Sequence, residues 1–292
     1  MPFTITWERV FTDATATGSN DPSTGIIHLG GGTLLAFAQH NAGGVFPGTN
    51  RIYRSVDNGR TWASLATILA GESIGRLLSS VSTTAFLGER GTSGVGWSLR
   101  RSLDQGVTWG IVFTGLTGSK YTQSATVASG GRLIVGGEFS SGGEIIWSDD
   151  GGASWGNETT ISPAWNAVRS LGYNAGTLLA GGFYGLGPSE TKIARSTTNG
   201  ASWIINANPL PGLVEGLSPI VWDILPLGGG IWLACGLGSD DVASQALLVW
   251  RSVDDGLTWT RIPTANFVGF SAALFYECGA LLIWGIIGSW LP

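Results

Sequence analysis

One nine-residue pattern returns five times along the chain and constrains the fold more than any other feature. The copies read RSVDNGRTW, RSLDQGVTW, WSDDGGASW, RSTTNGASW and RSVDDGLTW, at 54–62, 101–109, 147–155, 195–203 and 251–259. We refer to them as the five boxes, numbered in chain order. Their serines are 47, 46, 48 and 56 residues apart: Ser55, Ser102, Ser148, Ser196 and Ser252. A period in the forties that carries several short β-runs indicates a β-propeller with one four-stranded sheet per repeat.

A second pattern, a β-run followed by a glycine-rich turn and another β-run, occurs six times between and after the boxes. The sequence therefore predicts one domain, 1–292, with six blades, at 20–68, 72–115, 119–162, 166–209, 216–264 and 268–292. The last blade lacks its outer half, and 5–13 resembles the segment that follows each box. Since a closed ring leaves no open sheet edge, we expect Trp7 to Phe11 to supply its outer strand and Ile286 to Leu291 its third strand.

Composition agrees with an all-β chain, because 47 glycines and 14 tryptophans accompany only 12% charged residues. The net charge of −5 and two lysines argue against nucleic acid or an anionic membrane surface as a partner. The apolar stretch 270–292 is long enough to resemble a membrane span. It is also the sixth copy of the repeat, so we expect two blade strands instead.

The start of the chain, MPFTITWERV, has neither the basic nor the apolar region of a signal peptide. Localisation stays open, with the cytoplasm as one alternative. Cys235 and Cys278 have no metal-type spacing and are expected to fill strand or turn positions, with their pairing open. His28 and His40 lack a partner pattern. The sequence predicts no cofactor and no metal, because each box offers too few carboxylates for a metal loop.

Each box lies between two β-runs, so we interpret it as a turn. Its aspartate accepts hydrogen bonds from following amides, its glycine supplies a positive φ, and its tryptophan buries an apolar face. The fourth box has Thr198 where the others have aspartate, which predicts a looser turn. The structural residues are Asp57, Gly59, Trp62, Asp104, Gly106, Trp109, Asp150, Gly152, Trp155, Gly200, Trp203, Asp254, Gly256 and Trp259.

The box pattern SxDxGxTW resembles the motif of the Asp-box (BNR repeat) β-propellers, whose best-known members are sialidases. The resemblance covers nearly the whole chain, and the fourth box departs from it at Thr198, where aspartate is expected. It implies a six-bladed propeller whose boxes are scaffold, so that ligands bind at the opposite, loop-bearing face.

Alignment of the six first strands on their glycine turns places one residue of each at the same level near the expected axis: Gly25, Arg76, Ser124, Arg169, Asp223 and Ala272. Two arginines at this level could hold a carboxylate bidentately. The predicted ligand-binding residues are Arg76, Arg169, Asp223, Trp222 and Ser124. In the alternative interpretation, Arg76, Arg169 and Asp223 pair with one another and only fill the opening around the expected axis.

The resemblance to sialidases implies three arginines on the substrate carboxylate, a Tyr–Glu nucleophile pair, an aspartate acid/base and an Arg-Ile-Pro motif. This chain has no Arg-Ile-Pro, and its nearest string, Arg51-Ile52-Tyr53, runs directly into the first box. Tyr276 and Glu277 form a Tyr–Glu pair, but one that abuts a turn at the other end of its strand. Acid/base chemistry needs groups within reach of one substrate, so no catalytic residue is predicted.

We therefore expect a non-catalytic binding or structural propeller that recognises a glycan or a protein partner. Small, glycine-rich, lysine-poor Asp-box propellers also resemble phage virion components, such as tail or head-attached host-recognition proteins. Other virion subunits are then possible partners, with an apolar contact surface around Trp284, Ile286, Ile287 and Trp290. Two alternatives remain: a sialidase-like glycoside hydrolase acting on acidic sugars, and an intracellular assembly factor that serves as a docking platform.

Overall fold

The computed structural model describes sixteen segments of the chain: 23–39, 49–65, 69–70, 75–81, 84–89, 98–114, 121–138, 143–156, 159–162, 165–184, 193–206, 210–211, 220–238, 246–263, 272–277 and 280–285. These residues form antiparallel β-sheets and one 3₁₀ turn. The chain divides into two compact units, 1–119 and 120–292, each of which is described by itself. The all-β class predicted from the sequence is confirmed.

The first unit contains two sheets. The first sheet consists of β1 (Ser23–His28), β2 (Leu34–Gln39), β3 (Thr49–Ser55) and β4 (Ala63–Ser64), paired in that order, and β5 (Leu69–Ala70), which pairs with β3. The second sheet consists of β6 (Gly75–Val81), β7 (Thr84–Glu89), β8 (Ser98–Ser102) and β9 (Gly110–Thr114), again in chain order. An apolar cluster around Leu35, Phe37, Ile52 and Leu87 joins the two sheets.

The second unit begins with the third sheet: β10 (Tyr121–Val127), a 3₁₀ turn (Ser129–Gly131), β11 (Leu133–Glu138), β12 (Gly143–Ser148) and β13 (Thr159–Ser162). The fourth group is β14 (Trp165–Asn174), β15 (Thr177–Tyr184), β16 (Ile193–Ser196) and β17 (Ile204–Ile205), and the fifth is β18 (Ile220–Gly228), β19 (Ile231–Gly238), β20 (Ala246–Ser252) and β21 (Thr260–Ile262). A single pair, Phe183 with Ile220, joins these two groups into one eight-stranded sheet. The last sheet pairs β22 (Ala272–Glu277) with β23 (Ala280–Gly285).

All five boxes are turns between two strands, as the sequence predicts, and they connect the third and fourth strands of each group. In the first box the Ser55 hydroxyl donates to Asp57 Oδ1 at 2.7 Å and accepts from the Gly59 amide at 2.8 Å. Asp57 also accepts the Thr61 amide at 2.8 Å and the Thr61 hydroxyl at 2.6 Å. The second, third and fifth boxes repeat these bonds within 0.1 Å. The box is thus a turn closed by its own side chains.

The fourth box uses the Thr198 hydroxyl in place of a carboxylate. Thr198 Oγ1 accepts the Ser202 amide at 2.8 Å, but its contact with the Ser196 hydroxyl is 3.3 Å, against 2.7–2.8 Å in the four boxes that have aspartate. One hydroxyl oxygen replaces two carboxylate oxygens, which agrees with the predicted looser turn.

Each box glycine has a positive φ, as predicted, and so does the residue before it. That preceding residue is Asn58, Gln105, Gly151, Asn199 or Asp255. Two consecutive left-handed residues reverse the chain sharply, which only glycine and a few polar residues tolerate. The sequence interpretation identified the glycine but not its neighbour.

Arginines of one sheet reach the box of the next. Arg54 Nη2 donates to Gln105 Oε1 at 2.6 Å, and Arg195 Nε donates to the Asp255 carbonyl at 2.9 Å. In the third sheet, which has Trp147 at the corresponding position, Arg132 lies over the Trp147 ring and donates to the Asn199 carbonyl at 3.2 Å. The boxes therefore fasten neighbouring sheets together within each unit.

Two apolar clusters fill the second unit. One joins the third sheet to β14–β16 around Ile134, Ile145, Trp165 and Val168, and the other joins β15 and β16 to the fifth group, β18–β21. The box tryptophans Trp203 and Trp259 pack against these clusters. Burial of such side chains contributes about 1.5–3 kcal/mol each, so the sheets are held by packing as well as by the boxes.

The apolar stretch near the end of the chain forms the hairpin β22–β23, as the repeat predicts. Among the residues that the structure describes, no helix has the length and apolar character to cross a membrane. The predicted closing strand at 5–13, the predicted third strand at 286–291, the apolar residues beyond 285 and Cys278 lie outside the described residues. Cys235 is buried and free in β19.

Candidate functional site

In the second unit, β10, β14 and β18 are each the first strand of a four-stranded group. They lie side by side, β10 against β14 and β14 against β18. Each contains a β-bulge where its register with the second strand shifts, and the residue that the bulge adds is Gln123, Arg169 or Trp222. The bulges lie at the same level, because the pairs that follow them are Ser124–Gly136, Ser170–Gly181 and Asp223–Cys235. We call these three residues the bulge row. Bulges redirect a side chain and occur often beside binding sites.

The side chains of the bulge row contact one another in order. Arg169 Nη1 donates to Gln123 Oε1 at 3.5 Å, and Arg169 Cζ lies 5.1 Å from the centre of the Trp222 ring. Gln123 is 5% exposed, whereas Arg169 and Trp222 are half-buried. The planar guanidinium of Arg169 thus lies between an amide and an aromatic ring. A guanidinium can bind a carboxylate, and an aromatic face stabilises a cation.

Asp223 lies beside the row and is tied to the neighbouring strand. Ser170 Oγ donates to Asp223 Oδ1 at 3.3 Å and accepts the Ile224 amide at 2.7 Å. Asp223 is opposite Cys235 in the sheet. Burial raises the pKa of the Cys235 thiol well above its ordinary value, and the Asp223 carboxylate raises it further. Cys235 is therefore an uncharged part of the core.

The structure brings together two of the predicted ligand-binding residues, Arg169 and Trp222, and places Asp223 and Ser124 next to them in the chain. The register assigns Ser170, rather than Arg169, to the level of Ser124 and Asp223, since Arg169 is the residue that the bulge adds. Arg76 pairs with Gly88 in the first unit, and its side chain lies outside the described residues. Gly25 pairs with Phe37 and Ala272 with Gly285.

At the row and next to it in the chain, Thr122 Oγ1, Ser124 Oγ and Trp222 Nε1 are buried and have no hydrogen-bond partner among the described residues. An unsatisfied buried polar group costs about 1–3 kcal/mol. Such groups in a folded protein call for an explanation, such as a bound water or a ligand. Their position beside Arg169 makes this end of the strands a candidate polar binding site.

Sequence reasoning missed two residues of this site, Gln123 and Ser170. Both are adjacent to predicted residues, Ser124 and Arg169. The alignment counted equal numbers of residues back from the second strand of each group. Four residues lie between the paired residues Tyr173 and Leu178, against five between Val127 and Leu133, so the turn of the fourth group is one residue shorter.

The box carboxylates have a different character. Hydrogen bonds from Thr61 and Ser55 lower the pKa of Asp57 to about 2, and bonds from Thr108 and Ser102 lower the pKa of Asp104 to about 2. Hydrogen bonds from Ser154 lower the pKa of Asp150 further. For Asp254, burial raises the pKa, but bonds from Thr258 and Ser252 outweigh it and lower the pKa. These groups stay ionised and hold turns, and nothing about them suggests proton transfer.

Tyr276 and Glu277, which the sequence predicts to lie away from the ligand-binding level, are the last two residues of β22. Glu277 pairs with Ala280 beside the hairpin turn. Of the first strands that the structure describes, only β18 and β22 carry a carboxylate, Asp223 and Glu277. Within the described residues, no group of three or more His, Cys, Asp or Glu is arranged to hold a metal ion.

No known family profile matches the sequence, and no curated protein matches it. Solved structures do match. A polysaccharide lyase of family PL25, an ulvan lyase solved bound to -[GlcA(1-4)Rha3S]-, has a TM-score of 0.58 at 15% identity, over 90% of this chain and 74% of the lyase.

Two other matches come from different enzyme classes. The GH74 enzyme of Niastella koreensis has a TM-score of 0.57 at 18% identity, over 82% of this chain and 38% of its own. The Trypanosoma rangeli sialidase has a TM-score of 0.57 at 14% identity, over 91% of this chain and 52% of its own. At these identities the likeness is one of fold. The sheets of this chain are those of a fold shared with propeller-type enzymes that act on glycans, which is consistent with a sialidase-like propeller.

Proposed function

We propose that this chain is a non-catalytic glycan-binding module, a six-bladed Asp-box propeller that takes an acidic sugar at the bulge row. The observation that carries the proposal is the position of Arg169 between Gln123 and Trp222. A guanidinium binds a carboxylate through two parallel hydrogen bonds. Held against an aromatic ring, it loses less side-chain entropy when it does so.

Binding is favoured over catalysis because few carboxylates lie at the level of the bulge row in the described residues. Most retaining glycosidases need two carboxyl groups about 5 Å apart, and most inverting ones need two about 6.5–9.5 Å apart; sialidases instead use a tyrosine nucleophile, with a glutamate beside it and an aspartate acid/base. Of the first strands in the described part of the chain, β18 alone brings a carboxylate to the bulge level, Asp223, and that group already accepts bonds from Ser170 and Ile224. A sialidase-like hydrolase on acidic sugars is the second candidate, favoured by the likeness to the trypanosomal sialidase fold.

The wider setting we propose is a phage virion, with the chain as a tail or head-attached protein that recognises host glycans. The low lysine content and the high glycine content support this setting. Ring closure by 5–13 belongs to the same proposal. Genes for tail or capsid proteins beside the gene for this chain would support the virion setting, and their absence would count against it.

The binding proposal is tested on a glycan array together with a fluorogenic sialoside turnover assay, using the full chain and the variant Arg169→Met. A hydrogen bond to a charged group contributes about 1.5–3 kcal/mol, so the variant should bind acidic glycans about 10- to 100-fold more weakly. Arg251→Met is the matched control, because Arg251 is exposed at the box end of β20. It should bind like the wild type.

Acidic-glycan binding that is lost in Arg169→Met and kept in Arg251→Met supports the proposal. Turnover that is lost in the same variant makes the chain an enzyme and overturns the non-catalytic assignment. Absence of both activities from the wild type overturns the glycan proposal altogether and points to a protein partner.

A further inference from the structure

Two arginine–glutamine pairs in this chain have the same donor and acceptor chemistry but different geometry. Arg54 Nη2 donates to Gln105 Oε1 at 2.6 Å in the fastening between the first two sheets. Arg169 Nη1 donates to Gln123 Oε1 at 3.5 Å in the bulge row. A nitrogen–oxygen bond of ordinary strength is close to 2.9 Å. The first pair is a tight structural contact, and the second orients the guanidinium while holding it weakly.

At position 123, the charge of the side chain would strongly affect the neighbouring Arg169 guanidinium. It is 5% exposed, and its neighbour Arg169 is a half-buried cation. A carboxylate at this depth would be stable only if paired, and Arg169 is within reach. The amide accepts one guanidinium hydrogen without neutralising the positive charge. Glutamate has nearly the same shape and would neutralise that charge.

We infer that Gln123 is the specificity-determining residue of the bulge row, which orients Arg169 through a neutral acceptor and so selects acidic over neutral sugars. The inference rests on the proposed glycan-binding function and concerns the same site. Gln123 acts through Arg169 and is a positioning residue. Either an amide or a carboxylate at position 123 would orient the Arg169 guanidinium. Only the neutral amide also leaves the positive charge available to bind an anionic sugar.

The test compares Gln123→Glu with the wild type by isothermal titration, with an oligosaccharide of glucuronic acid as the acidic probe and the matching oligosaccharide of glucose as the neutral one. We expect the wild type to prefer the acidic probe at least tenfold. Gln123→Glu should lose that preference, with affinity for the acidic probe reduced at least tenfold and affinity for the neutral probe changed less than threefold. Gln123→Met, which removes the acceptor and adds no charge, should keep the preference with both affinities modestly weaker.

Gln105→Glu is the matched control, because it makes the same chemical change against Arg54 in the first unit. It should leave both affinities as in the wild type. A thermal denaturation of every variant checks that each is folded.

The outcomes separate the inference from the function on which it rests. If Arg169→Met loses the acidic probe while Gln123→Glu retains the wild-type preference, the role of Gln123 is overturned and the binding function stands. If the wild type binds neither probe, or if Arg169→Met binds like the wild type, the proposed function fails and the inference fails with it. Equal loss of preference in Gln105→Glu would also overturn the inference, because the effect would then not belong to the site.

Discussion

The guanidinium carbon of Arg169 lies 5.1 Å from the centre of the Trp222 ring, and both residues are added to their strands by bulges, in the neighbouring strands β14 and β18. A cation over an aromatic face is stabilised by about 0.5–1 kcal/mol at a partly exposed site. The ring also restricts where the guanidinium can move. This contact is what distinguishes the bulge row from an arginine on an open surface.

Replacement of Trp222 by leucine should weaken binding of an acidic glycan about twofold to fivefold, because the lost cation–π energy is about 0.5–1 kcal/mol. Trp222→Phe keeps an aromatic face and should remain closer to the wild type. Titration of both variants with one acidic oligosaccharide checks the order of affinities. A phenylalanine variant as weak as the leucine variant would show that Trp222 Nε1, rather than the ring face, contributes the binding energy.

The box serines should be the most sensitive polar positions of the scaffold. Ser102 is fully buried, and its hydroxyl accepts the Gly106 amide at 2.7 Å. Ser102→Ala leaves that buried amide without its acceptor, so the free energy of unfolding should fall by about 1–3 kcal/mol. Ser64→Ala removes an exposed hydroxyl and should change it by less than about 0.5 kcal/mol. Urea unfolding of both variants checks the difference, and equal effects would contradict the role of the serine.

The fourth box offers a stabilising substitution. Thr198→Asp supplies the two carboxylate oxygens found in the other four boxes, so Ser196 and Ser202 gain stronger acceptors. We expect the free energy of unfolding to rise by up to about 1 kcal/mol. The adjacent exposed substitution Thr197→Asp is the control and should have no stabilising effect. A stability gain in both variants would be an effect of surface charge rather than of the turn.

Acid should weaken the boxes in a defined range of pH. The carboxyls of Asp57 and Asp104 have a pKa of about 2 in the folded chain, below their ordinary value of 3.8. A lowered pKa in the folded state stabilises the protein fully above the unfolded value, and the stabilisation is lost as pH falls from about 3.8 to about 2. The urea midpoint should therefore drop across this range, and the double variant Asp57→Asn, Asp104→Asn should show a shallower drop. An unchanged pH dependence would assign acid sensitivity to other groups.

Two glycines with the same left-handed backbone should differ in their tolerance of alanine. Gly106 has a φ of +87°, and a Cβ there would lie 2.6 Å from Leu35 Cδ1, whereas Gly130 has a φ of +71° and open space around it. Gly130→Ala should cost about 1–2 kcal/mol for the backbone alone. Gly106→Ala should cost about 1–3 kcal/mol more, because a buried leucine must move. Thermal unfolding of both variants separates backbone strain from packing.

How much the sequence could predict depended on the range of the interactions involved. The box turns were predictable because Asp57, Gly59 and Thr61 contact one another within five residues. The role of Arg54 was not predictable, because the sequence around the first box does not show that this side chain reaches Gln105 of the next sheet. The level of Arg169 was wrong by one residue relative to Ser124 and Asp223. The turn between β14 and β15 is one residue shorter than the turn between β10 and β11. The length of a turn is decided by how the two strands pair, which a count along one strand cannot reveal.

The bulges have a consequence for how a chain of this kind can change over generations. A residue added by a bulge stands outside the one-to-one register of the sheet, and the pairs on both sides of it persist. The register of the strands therefore does not depend on the side chains of Gln123, Arg169 and Trp222, and the boxes fasten the sheets at the opposite end. Mutational drift can retune what such a chain recognises and leave its architecture intact.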